Sequence, residues 1–288
     1  MSKQNRKQQP ASANREEQQY FERLPSLMIE ALQAVSQNAM RCRTLETSSV
    51  HDFRVSIRRA LALFDVFTLA YPAFPSPEIR SQLRAWLKQH SALRDVQIQL
   101  ELIDSQTGGS AALGLLIASL EKSKSKRKSQ LRIYWLDNGE RLQQDIRRFI
   151  AKLSVAHPLK PGRVARPFST VALQRRTKLI LLLAAASETD PLSLHKVRIA
   201  LKKLRYYLEA YPHFSLFQNE LDQLTAYQSA LGQVQDYVVL NQTLSRWIAE
   251  KEPDNAGLIE MHAICVREQN DLMGAALPLL RHGLALIP

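Results

Sequence analysis

With 288 residues, the chain has room for two domains of ordinary size or one larger one, and a 45% hydrophobic share excludes wholesale disorder. A formal net charge of +12 points to a polyanionic partner, such as nucleic acid, a membrane surface or polyphosphate, without choosing among them. Two cysteines, Cys42 and Cys265, exclude a disulfide framework; with no apolar leader, a soluble cytoplasmic protein with both thiols reduced in its core is expected.

Residues 1–15 are polar and basic and are predicted as a disordered tail. Apolar residues then recur with helical period and predict helices over 16–44, 49–71, 76–104 and 110–154, the last broken near Asp137-Asn138-Gly139. Residues 157–167, HPLKPGRVARP, carry three prolines and a glycine and read as a linker. Helices resume over 168–187, 191–211, 215–251 and 254–286. The longest apolar run, 179–186, is too short to span a bilayer, so no membrane insertion is expected. No period-two strand pattern appears. The expectation is an all-α chain with one helical half over 16–156 and a second over 168–288.

The halves echo each other. HDFRVSIRR at 51–59 returns as HKVRIALKK at 195–203, LAYPAF at 69–74 as EAYPHF at 209–214, and SALRDVQIQL at 91–100 as LGQVQDYVVL at 231–240. A period of some 140 residues is a domain duplication rather than a solenoid, and predicts two four-helix arrangements.

Wound at about 100° per residue, the first motif places His51, Arg54, Arg58 and Arg59 to one side. Val50, Phe53, Ile57, Leu61, Phe64 and Phe67 fall to the other. The second motif repeats the layout with His195, Arg198, Lys202 and Lys203, adds Arg205, and opposes them with Leu194, Val197, Leu201, Leu204 and Leu208. Val55 and Ile199 intrude on the basic side and predict partial cover by another element. Ser49, with Asp52, is a candidate cap for the first helix, and Asp190 before Pro191 for the second. Unpaired N–H groups and the positive helix end then lie near each histidine, a setting that suits an anion with many oxygens. Arg offers a two-pronged donor to phosphate and Lys a point charge. A basic helical face on its own is most often merely solvated; two copies with few acidic neighbours favour a site.

In a third basic stretch, EKSKSKRKSQL at 121–131, Lys124, Arg127 and Lys128 continue an apolar stripe and are expected to face inward, with Lys122 and Lys126 in solvent. Arg80, Arg84 and Lys88 read as a solvated row, and His262 as a core residue. The chain has no G-x-x-x-x-G-K-[ST], no H-E-x-x-H and no paired carboxylates beside the basic motifs, so no catalytic residue, metal ligand or cofactor is expected.

The patterns H-x-x-R-V-x-I-R-R and H-x-V-R-I-A-L-K-K-L-R-Y, each followed by a segment carrying an Asp, resemble the two halves of a CHAD domain, the conserved histidine α-helical domain. The resemblance covers nearly all the chain past the tail. It implies two four-helix bundles related by a pseudo-twofold axis, with a basic central groove that binds inorganic polyphosphate. Some members localise to polyphosphate granules. Others are fused to a triphosphate-tunnel enzyme domain bearing E-x-E-x-K, a motif these residues lack. The carry-over takes in His51, Arg54, Arg58, Arg59, His195, Arg198, Lys202, Lys203 and Arg205. The first copy departs at Leu61, where the second has Arg205, and the second has Gln235-Asp236 where the first has Arg94-Asp95. Both aspartates read as structural partners of nearby cations. The resulting expectation is a non-enzymatic polyphosphate binder of the cytoplasm or its granules. Nucleic-acid binding is the alternative, a polyphosphate-processing enzyme stands behind it, and protein partners are left open.

Overall fold

The computed structural model describes residues 9–72, 74, 76–107, 113–155, 168–210 and 218–285. Among these there are nine α-helices and no strand. They are α1 (Gln9–Cys42), α2 (Thr47–Ala70), α3 (Pro77–Gln89), α4 (Ser91–Thr107), α5 (Gly114–Val155), α6 (Phe168–Ala184), α7 (Pro191–Glu209), α8 (Gln218–Glu250) and α9 (Ala256–Ala285). The all-α expectation holds. Helix α1 starts inside the span predicted as a tail; residues 1–8, the linker at 157–167 and the Tyr211-Pro212 stop lie outside the described residues.

Two helix boundaries differ from expectation for identifiable reasons. The predicted helix 76–104 is two helices, α3 and α4, separated by a turn at His90. The apolar period runs straight through this turn, because His90 is itself fully buried beside the row Leu83, Trp86, Leu93 and Val96. Conversely, α5 passes Asp137-Asn138-Gly139 without a break. Gly139 is buried, and a Cβ there would stand 3.1 Å from Cε3 of Trp135, one turn earlier. It makes room for the indole and does not end the helix.

The chain divides into two compact units, each drawing on both sequence halves. The first holds residues 1–87, 135–174 and 206–218. Helix α1 contributes a continuous apolar row, Tyr20, Leu24, Met28, Leu32, Val35 and Ala39, all fully buried. Pro25 lies inside this helix and has no N–H to give the Phe21 carbonyl one turn back. The Tyr71 hydroxyl donates to that carbonyl instead, at 2.5 Å. Burial, helped by Glu22, pushes the Tyr71 phenol up to about 12, so it stays a donor. Phe53, Trp86 and Trp135 form the unit's aromatic centre, with Trp86 and Trp135 ring centroids 4.2 Å apart and Phe53 at 5.5 Å from Trp135.

The second unit holds residues 88–134, 175–205 and 219–288. Its core joins Val96 and Ile103 of α4, Leu116 and Leu120 of α5, Leu240 and Leu244 of α8, and Leu258 and Met261 of α9. Buried Asn241 of α8 donates through its amide NH2 to the Cys265 carbonyl at 3.2 Å and to Gln269 Oε1 at 2.9 Å. Cys42 and Cys265 are free and fully buried, as expected. Burial pushes their thiols up to about 12 and about 11. Among the described residues no helix is long and apolar enough to cross a membrane.

Candidate functional site: the basic faces of α2 and α7

Both histidines occupy the fifth position of their helix, His51 in α2 and His195 in α7. The expected apolar rows are buried: Val50, Phe53, Ile57, Phe64 and Phe67 on α2, and Leu194, Val197, Leu201, Leu204 and Leu208 on α7; Leu61 is half-buried. The caps divide. Asp190 caps α7, its Oδ1 accepting from the Leu192 N–H at 3.0 Å. Helix α2 begins two residues before Ser49, with Glu46 at the cap position and no side-chain cap bond. Ser49 instead donates backwards to the Glu46 carbonyl at 2.9 Å, so the capping role expected of it is not realised.

The cations of α2 lie in the first unit. His51 and Arg59 are exposed and Arg58 half-buried. Arg54 is only 9% exposed, and its Nη1 donates to the Leu87 carbonyl at 3.4 Å. Arg59 Nε stands 3.8 Å from Glu209 Oε2.

The cations of α7 lie in the second unit, where Arg198, Lys202 and Arg205 are half-buried. His195 Nδ1 is hydrogen-bonded to Gln235 Oε1 of α8. Asp236, the next residue, is partly buried. Burial raises its carboxyl above the usual range, while Arg198, Arg94 and Lys202 pull it down and Asp95 pushes it up. The aspartates of the two echoed segments, distant in sequence, therefore come within coulombic reach of each other. Three cations, two from α7 and one from α4, share that field.

Other predicted site residues go elsewhere. Lys203 is exposed, and its carbonyl accepts from Arg175 Nη1 of α6 at 2.9 Å. Arg205 Nη1 reaches Thr225 Oγ1 at 3.5 Å. On α5, Lys124 is half-buried but ion-paired with Glu121 at 3.0 Å, and Lys128 is half-buried. Arg127, expected to face inward, is exposed and bonds to Gln130 of its own helix at 3.3 Å. Val55 is half-buried and Ile199 41% exposed, with α6 residues beside it. Arg80, expected in solvent, is drawn to Asp65 at 2.6 Å, while Arg84 and Lys88 are exposed as expected. His262 is half-buried at the core's edge. Among the described residues, no three His, Cys, Asp or Glu side chains gather as metal ligands would.

The sequence matches the family model of the CHAD domain over residues 26–245, which includes both histidine motifs and both aspartates. The chain belongs to the CHAD family. Its backbone resembles the crystal structure of the CHAD domain from the plant Ricinus communis, with a TM-score of 0.74, 21% identity and coverage of 93% of this chain and 92% of that one. It also resembles PptA from Streptomyces chartreusis, with a TM-score of 0.64, 15% identity and coverage of 92% and 99%. No curated protein matches the sequence. In this CHAD domain, sequence reasoning missed Arg94 as a member of the cationic group. It is also ion-paired with Glu101 at 3.1 Å. The one hint was its place beside Asp95 in the echoed segment.

Proposed function

We propose that this CHAD domain binds inorganic polyphosphate through the cationic faces of α2 and α7 and the basic turn of α5, and does not process it. The observation that carries the reading is the α7 face. Its apolar row is buried, and Arg198 and Lys202 stand with Arg94 around a carboxylate whose charge burial disfavours. Such a set brings cations of two helices together on one face, and a phosphate chain offers oxygens to several of them at once. Polyphosphate needs no base pocket, only cations repeated along a surface. The reading includes the internal duplication and the shared basic groove that family resemblance implies, and an address in the cytoplasm or at polyphosphate granules.

The test is a titration of long-chain polyphosphate at several salt concentrations. Binding that weakens by about 0.7 logarithmic units per contacted phosphate, per decade of salt, is expected. The variant Arg58→Ala/Arg59→Ala/Arg198→Ala/Lys202→Ala loses most of the affinity with its helicity unchanged. No binding at low salt, or an affinity indifferent to salt, overturns the proposal. Release of orthophosphate in the presence of Mg²⁺ overturns its non-catalytic part. Displacement of polyphosphate by duplex DNA or RNA at equal phosphate concentration moves the reading to nucleic acid.

A further inference from the structure

A groove of ≈ 310 Å³ runs between α6 and α7 within the second unit. Arg175, Lys178 and Leu182 line it from α6, and Lys196, Ile199, Ala200 and Lys203 from α7. No carboxylate is among the lining residues. The bond from Arg175 to the Lys203 carbonyl fixes the register of the two helices at one end. The short turn between Ala184 and Pro191 closes the other, so the helices run antiparallel. Lys196 to Lys203 is a rise of about 10 Å, two helical turns. The lining combines apolar Leu182, Ile199 and Ala200 with cations contributed by both helices, Arg175 and Lys178 from α6 and Lys196 and Lys203 from α7.

We infer that this groove docks an acidic amphipathic helix of a partner protein. The charge layout selects that occupant. Polyphosphate has nothing to place against apolar side chains. A fatty acid carries charge at one end only, whereas the groove offers cations from both helices. A helix with an apolar stripe flanked by carboxylates meets both demands, its stripe covering Ile199, which is otherwise 41% exposed, and its acids meeting the cations. The groove uses a different side of α7 from Arg198 and Lys202, so this inference goes beyond the polyphosphate reading, and Lys203 alone is common to both.

The probe is a labelled peptide of about 18 residues, with leucines at i, i+3, i+4 and i+7 flanked by glutamates, titrated by fluorescence anisotropy against the full chain. Its control has the same composition, scrambled so that no apolar stripe forms. The patterned peptide binds and the control is weaker by about tenfold or more. Lys178→Gln/Lys196→Gln and, separately, Ile199→Asn weaken the patterned peptide to a similar degree while leaving helicity unchanged, and Ile199→Asn, which alters no charge, leaves the polyphosphate titration unchanged as well. Equal binding of both peptides, no binding of either, or displacement of the patterned peptide by dodecanoate overturns the inference. Peptide binding that persists in a chain unable to hold polyphosphate defeats the polyphosphate proposal alone.

Discussion

On α2, Arg54 turns into the protein and donates to the Leu87 carbonyl; at the same step of α7, Arg198 is half-buried and sits in the field of Asp236. The carboxylates near the two faces differ as well. Glu209, the last residue of α7, answers Arg59 at 3.8 Å, whereas Asp236 and Asp95 lie among Arg198, Lys202 and Arg94, the last also paired with Glu101. The same pattern at the same helical position thus serves different ends. A cation opposite a backbone carbonyl is committed to the fold. A half-buried cation that stands beside others of like charge can meet the oxygens of a ligand together with them. The α7 face is therefore expected to contribute more to polyphosphate affinity than α2.

The comparison is broken hardest at the core positions beneath the two faces. Phe53 of α2 and Val197 of α7 are equivalent in the repeat, and both are fully buried. Phe53 closes an aromatic group with Trp86 and Trp135, which a smaller side chain cannot refill. Phe53→Ala is expected to lower stability by about 3–5 kcal/mol in urea unfolding. Val197→Ala costs less, because fewer atoms leave and a smaller cavity remains. Equal losses would show that the α2 anchor has no special place.

Next in size is the arginine exchange itself. Arg54→Ala removes the donor of the Leu87 carbonyl and is expected to destabilise by about 1–3 kcal/mol, with polyphosphate affinity per folded molecule changed little. Arg198→Ala is expected to do the reverse: weaker polyphosphate binding, a shallower salt dependence by about 0.7, and nearly unchanged unfolding. Paired urea and polyphosphate titrations read both arms. If Arg54→Ala weakens binding as much as Arg198→Ala with the fold intact, the division of labour is wrong.

Much of this was legible in the sequence because it depends on local periodicity. The apolar rows of α2 and α7 follow from spacing alone, and the Asp190 cap from residue type beside Pro191. What escaped depends on neighbours remote in the chain. The break at His90 is invisible because the period continues across it. The continuity of α5 through Gly139 depends on the Trp135 indole needing the space a side chain would take. That Asp95 and Asp236 share one field, with Arg94 beside them, is a tertiary fact about segments from opposite copies. Lys203 and Arg80 show the limit of reading a helix face by angle: both carry the expected charge, but α6 and Asp65 decide where those residues are engaged.

The finest distinction is at Asp236, where affinity and stability respond to one charge. Arg198 and Lys202 from α7 and Arg94 from α4 favour the carboxylate; burial and Asp95 disfavour it, and burial is the largest influence, so the native carboxyl holds its proton above the ordinary 3.8. In the unfolded chain the group returns to that ordinary value. Between the two, the native state binds more protons, so this group's stabilising contribution is full below the ordinary value and fades as pH rises through the raised one. Asp236→Asn is expected to erase that decline and, at neutral pH, to tighten polyphosphate binding by a factor on the order of ten, because one competing negative charge is gone. Urea midpoints of both proteins across this window, with polyphosphate titrations at neutral pH, read the effect. Weaker binding by the Asn variant would mean that Asp236 orients the cations for the phosphate chain rather than competing with it, and the α7 face would then resemble α2 in having its cations held by the protein.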